Sequence, residues 1–128
     1  MATVTSDPEL RDNYLRWTKG SLAEMRAHMT ALRDHPGDKA LIDAIYGIAH
    51  NIKGMGASFG FPLMTETGMS LCRYLRALDG RAVNLEVVDA HVRSFEVVMN
   101  NQIEGHGGAT GRELVDRLAN LVDRSLAA

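Results

Sequence analysis

Residues 38–60 read DKALIDAIYGIAHNIKGMGASFG, and the spacing of their apolar side chains decides the fold. Asp38 is a natural N-cap, because its carboxylate can accept from the free amides of a first helical turn. Leu41, Ile45, Ile48 and Ile52 then recur at helical intervals, with Ile42 and Ala49 widening the stripe. This is the period of an amphipathic helix with one buried face. Laid out at about 100° per residue, His50 falls roughly 170° from the centre of that stripe, so its imidazole points to solvent.

The same period extends in both directions. Asp7-Pro8 starts a first helix, with proline at its first position, and Leu10, Tyr14, Trp17, Met25, Met29 and Leu32 follow at helical spacing. Gly20 interrupts this run and marks a bend or a break into two helices; His35-Pro36-Gly37 stops it. A third helix begins near Pro62, carries Leu63, Met64, Leu71, Leu75 and Leu78 inward, and ends at Asp79-Gly80. Asn84 caps a fourth, whose apolar face is Val88, Val92, Phe95, Met99 and Ile103. Thr110 and Glu113 have capping-box spacing and open a fifth, with Leu114, Leu118, Leu121 and Val122 on its face. The expected fold is all-α: an antiparallel up-down four-helix bundle with an additional N-terminal helix or helical extension, one domain over residues 1–128, with 1–6 a short frayed tail.

Composition narrows the function. The 128 residues are 45% hydrophobic, enough for one core, and the formal net charge of -2 gives no reason to expect nucleic acid or an anionic membrane as partner. No apolar run approaches the roughly 18 residues of a membrane helix, and the opening MATVTSDPEL lacks the basic and apolar regions of a secretory signal. The one cysteine, Cys72, excludes an intrachain disulfide and fits a reducing compartment, so a cytoplasmic protein is expected. Cys72 is placed on the rim of the third helix as a structural residue. His28 and His91 read as boundary residues, His35 as a turn residue and His106 as part of the glycine-rich loop 105–108. None has metal-ligand spacing, and that loop lacks the lysine and hydroxyl of a phosphate-binding loop.

The surroundings of His50 are less ordinary. On a helix its neighbours are Tyr46, Gly47, Lys53 and Gly54, with Gly56 and Ala57 just beyond. A mid-helix glycine costs about 1 kcal/mol against alanine. Singly, such glycines signify close packing or fraying, and such a lysine is a solvated one. Together they leave an exposed imidazole on a bare platform beside an ammonium. Neutral imidazole is a competent nucleophile near pH 7, and phosphoryl transfer needs in-line access and a cation at the equatorial oxygens.

The run His50-Asn51-Ile52-Lys53-Gly54-Met55-Gly56-Ala57-Ser58-Phe59-Gly60 resembles the motif of histidine-containing phosphotransfer domains, through His50, Lys53, Gly54, Phe59 and Gly60. The continuation Phe61-Pro62-Leu63 into Glu66-Thr67 is similar to the N-terminal phosphotransfer domain of chemotaxis-type histidine kinases. The resemblance implies that His50 accepts a phosphoryl group, on Nε2, from a receiver aspartate or a kinase and passes it to another receiver. It implies that Lys53 stabilises the phosphate charge, that Gly54 keeps the approach open and that Gly60 serves the turn. Receiver domains of response regulators or hybrid kinases are then the expected partners, meeting a face that includes Tyr46, Gly47, Gly54, Ala57 and Met69. The chain would act as a monomeric, standalone phosphoryl carrier rather than a kinase, with no cofactor; Mg²⁺ would sit in the partner receiver. Members of the family often orient the imidazole with a polar residue on the adjacent helix. Here Met69 and Cys72 stand where one would be expected, and Glu66 and Ser70 are the outward-facing candidates. Met69 suits an adaptable docking surface or is a scattered apolar side chain. The competing readings are a non-catalytic helical interaction module and a detached domain of a chemotaxis-type kinase, phosphorylated in trans.

Overall fold

The computed structural model describes residues 7–128; the segment 1–6, read as a frayed tail, lies outside the described residues. Its elements are α1 (Pro8–Leu32), α2 (Lys39–Met55), α3 (Pro62–Ala77), α4 (Leu85–Asn100) and α5 (Gly108–Ala127), with a 3-10 turn over Ala57–Phe59 between α2 and α3. Among the described residues there is no strand. Three caps are those the residue types call for. The Asp7 carboxylate accepts from the amides of Glu9 and Leu10, Asp38 from that of Leu41, and Asn84 from that of Glu86.

Two helix boundaries differ from expectation. Gly20 does not break α1, which runs through it for 25 residues. Buried Thr18, Ser21, Leu22 and Met25 on either side pin the helix to the core, and packing outweighs one glycine's cost of about 1 kcal/mol. Helix α5 opens at Gly108, not at a Thr110 capping box, and its N-cap Gly107 is left-handed at φ 69°. The Gly111 amide donates to the Gly107 carbonyl at 3.0 Å, and a Cβ on Gly111 would lie 1.8 Å from the His106 carbonyl oxygen. The chain doubles back too tightly there for any residue but glycine.

The core is one contiguous cluster. It takes Tyr14, Leu22, Met25, Met29 and Leu32 from α1, Ile45, Ala49 and Ile52 from α2, and Leu63, Met64, Leu71, Tyr74 and Leu75 from α3. Val87, Val88, Val92, Phe95 and Val98 of α4 and Val122 of α5 join it, with Phe61, Cys72, Leu78 and Val83. Leu10 and Trp17, expected on the buried stripe of α1, are instead 50% and 37% exposed. Helix α1 packs on α2 and α4, and α3 also packs on both, so α1–α4 close a ring of four. Helix α5 lies against α3 and α4, outside that ring. The additional helix is therefore the C-terminal one, and not an N-terminal extension as the sequence suggested. No helix is long and apolar enough to cross a membrane, among the described residues.

The connection after α2 matters most for the site. A Cβ on Gly56 would come within 2.8 Å of the Phe61 carbonyl oxygen and 2.9 Å of Met64 Cβ. Gly60 is left-handed at φ 88°. The Ala57 amide donates to Thr65 Oγ1 at 2.9 Å and the Phe61 amide to the Gly56 carbonyl at 2.9 Å. Farther along α3, a Cβ on Gly68 would meet Lys53 Cβ at 2.9 Å and the Ala49 carbonyl oxygen at 3.0 Å. Gly68 thus lets α3 press directly on the α2 backbone, one turn beyond His50.

Candidate functional site

His50 sits in the interior of α2 with its side chain exposed, as the period of the helix requires. Tyr46 and Lys53 are half-buried beside it, Gly47 and Gly54 are exposed, and Ala57 is half-buried in the following turn. Beyond the local backbone of the helix, a Cβ on Gly47 or Gly54 would meet nothing within 4 Å. Neither glycine is there for helix packing, which removes the commonest structural reason for a mid-helix glycine. The motif's glycines divide cleanly: Gly47 and Gly54 leave open surface, while Gly56 and Gly60 build the turn.

Lys53 faces no carboxylate in an ion pair among the described residues. Its stem lies over Gly68, so close contact between α2 and α3 fixes its base and leaves the ammonium unspent. Met69, the next residue on α3, is 55% exposed, an apolar side chain at the surface. The Tyr46 and His50 rings lie 6.1 Å apart, centroid to centroid, with planes inclined by 17°. Arg76 of α3 places its guanidinium carbon 5.7 Å from the Tyr46 centroid.

Several expectations on α3 and α4 are corrected. Cys72 is not on a rim but 4% exposed, and burial pushes its thiol pKa up, against the opposing fields of Lys53 and Arg76. A thiol held protonated is a packing residue, not a nucleophile. His91 is not a boundary residue but fully buried. Its Nδ1 lies 2.7 Å from the Val87 carbonyl, which can only accept, so Nδ1 carries the proton. Nε2, 2.8 Å from Ser70 Oγ, then accepts from that hydroxyl. Ser70 is thereby engaged with α4 and does not orient His50. Glu66 turns toward His106, at 4.0 Å, and with it lines a 660 Å³ cavity at the start of α5, away from His50. Neither sequence candidate for orienting the imidazole does so.

His50 lines neither that cavity nor the 450 Å³ groove between α4 and α5. The imidazole stands on an exposed helix face, outside both of these concave regions. No cluster of three or more histidine, cysteine or acidic side chains able to hold a metal ion is present among the described residues. Sequence reading overlooked Gly68 and Arg76. A mid-helix glycine facing the α2 motif was the available signal for the first; for the second there was none, because α2–α3 register is not written in either helix alone.

His50 thus presents an exposed imidazole on an open helix face, with the Lys53 ammonium one turn on. The Hpt domain model matches residues 9–128, and the chain belongs to that family. Hpt domains carry phosphoryl groups on a histidine within phosphorelays and meet receiver domains there. No curated protein and no solved structure matches the chain.

Proposed function

We propose that His50 is the phosphoryl-accepting histidine, using Nε2 as nucleophile toward a receiver phosphoaspartate or a kinase and later yielding the group to another receiver. The observation that carries this reading is the solvent-facing pair Gly47 and Gly54 around His50, where a Cβ would meet nothing within 4 Å beyond the local backbone of its own helix. Such glycines cost the helix stability and serve no contact within the chain. Lys53 supplies the cation for the equatorial phosphoryl oxygens. Gly47, Gly54, Ala57 and Met69 form the face that a receiver covers. Mg²⁺ belongs to the receiver, and this chain needs no cofactor. It works as a cytoplasmic monomer of one domain, its four-helix ring antiparallel and up-down because the connections between successive packed helices are short.

The test is incubation of the chain with a phosphorylated receiver, reading acid-labile label. His50→Gln should take up none while keeping its helical content, and label retained in that variant refutes the assignment. Lys53→Ala should slow transfer by about 10²-fold, the scale of losing one preorganised charge contact; an unchanged rate removes Lys53 from the mechanism.

A further inference from the structure

The residues at the expected orienting positions on α3 cannot do the task. Cys72 is a buried thiol and Met69 an exposed thioether. Neither nitrogen of His50 has a hydrogen-bond partner among the described residues. What the imidazole has is a ring. Side chains on a helix lean toward its N-terminus, so residue 50 lies back over residue 46. The resulting pair, at 6.1 Å and 17°, falls within the offset-stacked range for aromatic rings. Tyr46 is in turn held from α3 by the Arg76 guanidinium over its face, and no carboxylate pairs with Arg76 among the described residues.

We infer that Tyr46 is the positioning residue of His50: its ring holds the imidazole in one rotamer and favours the positive charge that the imidazole acquires when phosphorylated. This rests on His50 being the phosphoryl acceptor. In the forward step Nε2 forms the P–N bond while Nδ1 keeps its proton. The P–O bond to the donor aspartate breaks, and its electron pair leaves on the carboxylate. The imidazole then bears a formal positive charge beside the dianionic phosphoryl group. In the return step the P–N electron pair goes back to Nε2 and neutral imidazole departs. Both directions pass through a cationic ring, and no carboxylate or amide is at hand to receive its Nδ1–H. The negative face of an aromatic ring stabilises such a cation. Lys53 thus answers the charge on the phosphoryl group and Tyr46 the charge on the ring.

The test compares Tyr46→Leu and Tyr46→Phe in the full chain with two donors, a phosphorylated receiver and phosphoramidate, which has no surface to dock. Tyr46→Leu should lower kcat about threefold to tenfold with either donor, from the usual worth of an aromatic or cation–π contact. Its KM for the receiver should stay within about twofold, and Tyr46→Phe should match the parent within about twofold. A Leu variant with unchanged kcat, or one in which only KM for the receiver rises, overturns the inference; the second outcome makes Tyr46 a docking residue. Ring-current shifts of the His50 ring protons give a readout free of phosphorylation. They should be kept in Tyr46→Phe and lost in Tyr46→Leu, and their absence from the parent chain shows that the stack does not form. A parent chain that takes no label on His50 while showing the shifts instead defeats the phosphoryl-acceptor reading.

Discussion

Replacing Gly47 and Gly54 together by alanine is expected to make the protein more stable and a poorer phosphoryl carrier. Both sites are helical and exposed, and beyond the local backbone of the helix nothing lies within 4 Å of the new Cβ, so the methyl groups introduce no clash. At the interior position Gly47, alanine gains the full helix-propensity difference of about 1 kcal/mol. Gly54 is the penultimate residue of α2, where fraying roughly halves the gain, to about 0.5 kcal/mol. The sites are two turns apart and share no partner, so the gains add to about 1.5 kcal/mol. With an unfolding entropy near 2.1 cal/mol/K per residue over 128 residues, that is a rise in Tm of about 5 °C. In urea it is a midpoint shift of about 1 M at unchanged slope. Transfer from a phosphorylated receiver should fall at least about tenfold, because raising the platform by a methyl moves the partner's phosphorus off line, and a misplacement of about 1 Å can cost 10²-fold. Urea titration and single-turnover transfer on the same preparation read both quantities. A loss of stability would show that the glycines serve the fold. A gain in stability with transfer unchanged would show that they do not serve the approach.

The other glycine of the α2–α3 contact should behave in the opposite way. Gly68→Ala puts a Cβ at 2.9 Å from Lys53 Cβ and 3.0 Å from the Ala49 carbonyl oxygen, so the helices must part, at a cost of about 1–3 kcal/mol measurable as a lower urea midpoint. Stability should also fall with acid through His91. Burial lowers its folded pKa below the ordinary 6.5, so below that pH the unfolded chain binds a proton that the folded chain refuses. The contribution is complete above about pH 6.5 and is lost progressively as pH falls toward the folded pKa. Urea midpoints between pH 7.5 and 5 should decline more steeply in the parent than in His91→Leu; parallel profiles would show that His91 is not the group responsible.

Much of the fold was legible in the chain because helix periodicity and capping are local. Asp7, Asp38 and Asn84 cap where their residue types require, and the stripe Ile45, Ala49, Ile52 is buried with His50 opposite. The failures came where several segments compete for the same buried space. Leu10 and Trp17 have the right spacing on α1, yet the core takes Tyr14, Thr18 and Ser21 from that helix instead. His91 reads as a boundary residue in one dimension and is buried because Val87 and Ser70 satisfy both ring nitrogens. Thr110 has the spacing of a cap, but the close return of the chain at His106 and Gly111 starts the helix earlier.

The sequence by itself determined that His50 lies on the solvent side of a helix, with Lys53 and two glycines around it, because positions on one helix follow from a fixed rotation per residue. Only the tertiary structure decided that those two glycines face open space while Gly56 and Gly68 are closely packed, since that depends on how closely α3 approaches α2. It also decided that the groups expected to steady the imidazole from α3 are engaged elsewhere or apolar, and that an aromatic ring pinned by Arg76 stands beside it instead. Register between helices is set by the whole core at once, and no single stretch of chain contains it.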